Sequence, residues 1–146
     1  MTFEQMNLDK NIIQALHTLG YEKPLPVQEQ VIPNILSGTD CIVKSRTGSG
    51  KTASFAIPII QNLEIDERSP QALVLTPTRE LALQIQQDFD RIGTFKKIKT
   101  LPIFGKQPFK FQKEDLKQRC HVVIGTPGRV LDHLQQQTLD PSKIKY

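Results

Sequence analysis

Between Asp9 and Leu19 the apolar residues Ile12, Leu16 and Leu19 recur at helical spacing, and Gly20 follows where a C-terminal cap belongs. A second helix is predicted from Pro26, with Val27, Val31 and Ile35 on one stripe and Gly38 ending it. Pro33 lies inside that helix and is expected to bend it. The pattern then changes. "DCIVKS" is a short unbroken apolar run that predicts a buried strand, and the helix after it carries Phe55, Ile57, Ile59 and Ile60. "QALVLT" predicts a strand, "RELALQIQQDFDRIG" a helix, "IKTLPIF" the next strand, and the stretch around Leu116 a basic helix. The strand "HVVIG" and the helix "GRVLDHLQQQ" follow. Strands alternating with helices predict an α/β fold with a parallel sheet covered by helices on both faces. The chain carries no internal repeats, and its one polar break is the turn "DERSP".

Composition narrows this picture. The 146 residues suffice for one domain with a core, and 38% hydrophobic with 23% charged residues is a globular composition. No apolar run approaches the roughly 20 residues of a membrane helix, and the acidic start "MTFEQMNLDK" is not expected to be a signal peptide. A cytoplasmic protein is the expectation. Cys41 and Cys120 each precede an apolar run, so both are expected to be buried free thiols. The net charge is +4, and it is concentrated. Lys96 to Arg119 holds eight basic residues against Glu114 and Asp115, a net of +6, leaving −2 on the remainder. Such a run is either a solvated face or a surface that attracts a polyanion.

The candidate chemistry begins at Ser45. Ser45-Arg46-Thr47-Gly48-Ser49-Gly50-Lys51-Thr52 matches the phosphate-loop pattern G-x-x-x-x-G-K-[ST], with serine replacing the first glycine. A loop between strand and helix aims backbone N–H groups inward, and the helix N-terminus adds partial positive charge. Gly48 and Gly50 let the backbone approach phosphates, Lys51 neutralises the outer ones, and Thr52 offers a hydroxyl to Mg²⁺. Nucleotide binding is the expectation.

Upstream, "GYEKPLPVQ" from Gly20 to Gln28, with Phe3 seventeen positions earlier, resembles the Q motif of the DEAD-box RNA helicases. "PTRELA" at Pro77–Ala82 is similar to their motif Ia, and "TPGR" at Thr126–Arg129 to their motif Ib. The resemblance spans Phe3 to Arg129 with the motifs in order. It implies a RecA-like sheet, residues 1–38 as a Q-motif helical region, and residues 39–146 as part of the first helicase domain. It also implies ATP and Mg²⁺ as cofactors. Phe3, Tyr21 and Gln28 would then select adenine. Ser45, Thr47, Gly48, Ser49, Gly50, Lys51 and Thr52 would hold phosphates and metal, with Lys51 and Thr52 in the catalytic machinery. A primary amide suits this role, because its adjacent donor and acceptor match the N7/N6 edge of adenine but not the two acceptors of guanine. RNA is the implied partner, held by Pro77, Thr78, Arg79, Gly105, Lys106, Thr126, Gly128 and Arg129. Where the family has a Gly-Gly pair, this chain reads Gly105-Lys106. The pattern looks most like the bacterial branch that acts on ribosomal RNA.

The Asp-Glu-Ala-Asp motif itself does not occur, nor do the Ser-Ala-Thr motif and a second RecA-like domain. The one Asp-Glu pair, Asp66 and Glu67, follows "NLEI" in a predicted loop rather than a strand. Asp132 and His133 are expected on the surface of a helix. Turnover by these 146 residues is therefore expected to be negligible, since a phosphate-loop ATPase needs carboxylates for metal and water. A module that only binds adenine nucleotide or RNA is the alternative, and a small metabolite kinase a more distant one.

Overall fold

The computed structural model describes all 146 residues, which form two compact units. The first comprises Met1–Leu63 and Asp88–Lys97, the second Glu64–Gln87 and Ile98–Tyr146.

The first unit is helical. A 3-10 turn at Glu4–Met6 precedes α1 (Lys10–Thr18), α2 (Pro26–Leu36) and α3 (Lys51–Asn62). Proline at the first position of α2 lacks the N–H that would go unpaired there anyway. The helix α3 buries Ala53, Ala56, Ile57, Ile59 and Ile60, a nearly all-round apolar surface that suits an interior helix. It packs along α2, and the core of the unit gathers Phe3, Ile12, Leu16, Ile32, Phe89 and Ile92.

Three expectations fail in this unit. Residues 41–46 form no strand, and Ile42 is fully exposed. An extended segment becomes a strand when a neighbour takes its backbone N–H and C=O groups, and this one joins no ladder. Cys41 is accordingly exposed rather than buried. The basic run also divides. Lys96 is not a surface charge: its Nζ donates to the carbonyls of Ile60 (2.7 Å) and Gln61 (2.8 Å) and lies 3.6 Å from Asp9. A cation on the last carbonyls of α3 opposes the negative end of the helix dipole. Burial holds its pKa below the usual lysine value.

The second unit contains the sheet. Strands β1 (Ala72–Leu75), β2 (Thr100–Ile103) and β3 (Val122–Gly125) run parallel in the order β1-β3-β2. Central β3 reads as a continuous apolar run, and Val122, Val123 and Ile124 are fully buried, as a strand flanked on both edges requires. The helices α5 (Phe109–Leu116) and α6 (Pro127–Gln135) belong here, as does the first part of α4 (Arg79–Ile92). The core joins Ile103, Cys120, Val123, Val130 and Leu139. Buried Cys120 matches expectation, and burial pushes its thiol up to about 12. Buried His121 accepts the Lys99 N–H at Nδ1 (2.8 Å), so its Nε2–H donates to the carbonyl of Ile65 (2.9 Å). Along the edge of β1 away from β3, Lys145 N–H donates to the carbonyl of Gln71 and Leu73 N–H to that of Tyr146, each at 2.9 Å. The fold class is α/β with a parallel sheet, as the alternation of elements predicts.

Candidate functional site

In the first unit the predicted nucleotide residues other than Phe3 gather around the N-terminus of α3. Gly50 caps that helix at φ +90°, and Gly48 stands at φ +79°, backbone that glycine adopts without penalty. A cleft of about 600 Å³ is lined by Tyr21, Lys23, Leu25, Gln28, Gly48 and Gly50 among others. Gln28 is buried. Its Oε1 accepts the N–H of Leu25 (2.9 Å), and its Nε2 donates to the carbonyl of Gly50 (3.4 Å). A Cβ at residue 50 would fall 2.7 Å from Gln28 Nε2. The amide and the loop therefore touch, and glycine is the residue that permits it. Each amide heteroatom is engaged once here, and each can make one further bond.

Tyr21 lines the same cleft half-buried, and burial with the carboxylate of Asp88 raises its pKa. Lys51 folds back onto its own loop, donating to the carbonyl of Ser45 (2.6 Å), and Ser45 Oγ donates to Ser49 Oγ (2.6 Å). Thr47 is exposed and Thr52 partly buried in the first turn of α3. Ser45 lines a second cleft of about 570 Å³ beside Val27, Val31, Ile42 and Val43. Phe3 is placed elsewhere, in the core at 1% exposure. Leu25 and Lys23 are lining residues that sequence reasoning did not single out.

In the second unit the parallel register aligns Leu75, Gly125 and Ile103 at the C-terminal ends of the three strands. The three loops predicted to hold RNA leave from those ends side by side: Pro77–Arg79 after β1, Thr126–Arg129 after β3, and Gly105–Lys106 after β2. Open parallel sheets bind ligands at this edge. Backbone bonds stitch the loops together, with Thr76 N–H donating to the carbonyl of Gly125 and Thr126 N–H to that of Ile103, both at 2.9 Å. Gly125 has no room for a side chain, since a Cβ would lie 2.3 Å from the Ile103 carbonyl oxygen.

The helix N-termini are built for this edge. Thr78 Oγ1 accepts the N–H of Leu81 (3.1 Å) and caps α4. Thr126 precedes Pro127 at the start of α6, and Pro77 and Gly128 are exposed. Arg79 lies 5.0 Å from the centre of the Phe104 ring, which orients its guanidinium by cation–π attraction. Lys106 stands at φ +64°. A left-handed backbone there explains why a glycine suits the position, and lysine occupies it at roughly 1–2 kcal/mol of strain. Arg129 is half-buried rather than projecting, donating to the carbonyl of Gln107 (2.7 Å). His133, expected on the surface, is fully buried, whereas Asp132 is exposed. The loop residues Asp66 and Glu67 lie in a turn, where Glu67 Oε1 accepts the N–H of Ser69 (3.2 Å).

The DEAD/DEAH box helicase family model matches residues 25–146. The chain belongs to that family. It is 51% identical to the ATP-dependent RNA helicase DbpA of Bacillus subtilis over 99% of this chain and 30% of that protein. It is 41% identical to the ATP-dependent RNA helicase DeaD of Mycobacterium tuberculosis, over 99% of this chain and 26% of the relative. Among solved structures, a DEAD box protein from Methanococcus jannaschii superposes with a TM-score of 0.93 at 41% identity, over 99% of this chain and 39% of the other. Dbp5 of S. cerevisiae bound to RNA and ADP BeF3 superposes with a TM-score of 0.88 at 29% identity, over 98% and 36%. The chain thus spans about a third or less of the curated relatives it matches. These likenesses cover both units.

Proposed function

We propose that this chain forms the adenine-nucleotide grip and one RNA-binding edge of an ATP-dependent RNA helicase. One observation carries the reading most: the buried Gln28 amide rests on Gly50 of the phosphate loop and lines a cleft with Tyr21. A base reader and a phosphate cradle within one cleft fit a purine nucleotide. The free N–H and lone pair of Gln28 select adenine over guanine, and Tyr21 offers its ring for stacking. On nucleotide entry Lys51 exchanges the Ser45 carbonyl for phosphate oxygens, and the amides of residues 48–51 turn to the same anion.

Mg²⁺ fits this site through Thr52, whose hydroxyl lies in the first turn of α3. No cluster of His, Cys, Asp or Glu in the chain forms a metal cage. That suits a cation held mostly by phosphate oxygens and water. When bound, it neutralises developing phosphate charge. The chain's one Asp-Glu pair lies in a turn at residues 66–67 rather than at the end of a strand. On this reading the 146 residues act as a binding half-site with negligible turnover of their own. RNA phosphates are held at the sheet edge by Thr78, Arg79, Gly105, Lys106 and the α6 N-terminus at Thr126–Gly128. Ribosomal RNA as substrate and a cytoplasmic setting belong to the same proposal and rest on the sequence resemblance.

The test is titration of a fluorescent adenine nucleotide with Mg²⁺, competed with ATP and with GTP, beside Lys51→Ala. Displacement by ATP but not GTP, lost in the variant, is the expected result. Equal displacement by both nucleotides would overturn the adenine assignment, and ATP hydrolysis stimulated by RNA would overturn the half-site reading.

A further inference from the structure

Beneath the loops after β2 and β3 lies a polar network that no phosphate or nucleotide contact requires. Gln112 of α5 sits at its centre, 6% exposed. Its Nε2 donates to the carbonyl of Phe104 (2.9 Å). Its Oε1 accepts from Nη1 of Arg129 (3.0 Å) and lies 2.8 Å from Nε2 of His133. The same Nη1 donates to the carbonyl of Gln107. His133 is fully buried, with Nδ1 2.7 Å from Thr138 Oγ1 and its ring stacked on Phe109 at 4.1 Å and 8°.

The donors and acceptors fix the Gln112 amide and the Nε2 of His133. Arg129 only donates and the Phe104 carbonyl only accepts, so the Gln112 amide oxygen must face Arg129. That oxygen cannot donate, so His133 Nε2 carries a hydrogen. Burial, aided by the positive charge of Arg129, keeps the ring neutral and its pKa below the usual value. With the ring neutral, Nδ1 is bare and accepts the hydroxyl of Thr138 (2.7 Å), whose hydrogen it shares with the His133 carbonyl at 3.1 Å. Every member has its partner, and no buried side-chain polar atom in the chain is unpaired.

We propose that Gln112 and His133 are positioning residues that lock the Gly105–Lys106 loop to the first turn of α6, so that RNA meets a preformed edge. The carbonyls of Phe104 and Gln107 bracket that loop, and both are pinned, one by Gln112 and one by Arg129. Fixing both ends holds Lys106 in its left-handed backbone before any ligand arrives and lowers the ordering cost of binding. Arg129 acts here by holding the loop. The inference rests on the RNA-binding reading of the sheet edge.

The experiment measures fluorescence anisotropy of a labelled single-stranded oligouridylate with this chain and its variants, and nitrogen NMR of the histidine rings. His133→Phe keeps the stack on Phe109 but removes both hydrogen bonds, and Gln112→Met keeps volume but removes the bridge. Each should weaken RNA binding about five- to tenfold while adenine-nucleotide affinity is unchanged. His133→Gln restores an N–H near the Nε2 position and should stay within about twofold of the parent. The parent His133 should show a protonated Nε2 and a bare Nδ1. Wild-type RNA affinity in folded Gln112→Met, or a ring protonated at Nδ1, overturns the proposal while leaving the RNA reading intact. An unfolded His133→Phe shifts the decision to Gln112→Met and His133→Gln. No RNA binding by the parent overturns the RNA reading and this proposal with it.

Discussion

Two short apolar runs of similar composition have opposite fates. In the second unit "VVIG" becomes the central strand β3, with Val123 and Ile124 fully buried. In the first unit "CIVK" stays irregular, with Ile42 fully exposed and Val43 37% exposed. Local preference is alike in both, since each is rich in β-branched residues. The difference is the neighbours. β3 has β1 and β2 on its two edges, and their ladders satisfy its backbone, whereas residues 41–44 run beside no strand. A strand is a property of a pair, and its burial follows from the pairing. The phosphate loop of the first unit is held instead from its other side, by α3 and the Gln28 contact.

The largest effect should come from the paired run. Ile124→Ala removes a fully buried side chain from the central strand and should destabilise the second unit by about 3 kcal/mol. Urea unfolding, with hydrogen exchange read at the β1–β3 amides, measures it. A loss below about 1 kcal/mol would mean that β3 is not packed as described.

The same contrast explains what was legible beforehand. Helices carry their signal locally, and Lys10–Thr18, Pro26–Leu36 and Arg79–Ile92 lie close to the ranges that periodicity predicts. Strands β1 and β3 were legible because their partners lie within the chain. The phosphate loop was legible because its glycines answer to local backbone geometry. Lys96 and His133 were not. One reads as part of a charge run and the other as a histidine on a polar helix. Their roles come from residues distant in sequence, namely Ile60 and Gln61 for Lys96, and Gln112 for His133. The spacing of a helix face does not reveal such partners.

A smaller effect is expected where the first unit is built most tightly. Gly50→Ala forces alanine to φ +90° and sets its Cβ against Gln28 Nε2 and Leu25 Cδ1. The left-handed backbone alone costs roughly 1–2 kcal/mol, so adenine-nucleotide affinity should fall about tenfold as Gln28 is displaced. Isothermal titration with ATP reads the change. Unaltered affinity would detach the amide from the grip.

Acid should distinguish the units more gently. His133 has its pKa held below 6.5 by burial and by Arg129. In that window the unfolded chain binds more protons than the folded one, so stability falls as pH drops. The loss begins as pH passes below about 6.5 and levels off under the folded pKa. His133→Gln should flatten this dependence, as measured by urea midpoints from pH 7.5 to pH 5 at constant ionic strength. A dependence unchanged by the substitution would assign the acid sensitivity to other groups.

The smallest effect is the sharpest test. Ile42→Ala removes the same atoms as Ile124→Ala, yet in this structure those atoms already face water. No cavity forms and no contact is lost, so stability should change by no more than about 0.5 kcal/mol. The amides of residues 41–44 should exchange rapidly, since no ladder protects them. If Ile42→Ala instead costs more than about 1 kcal/mol, something covers that run in solution. The protein would then contain a second pairing, and the phosphate loop would be held by a strand on one side as well as by α3 on the other. A neutral Ile42→Ala beside a damaging Ile124→Ala would establish that the grip on nucleotide is organised by helices and glycines alone.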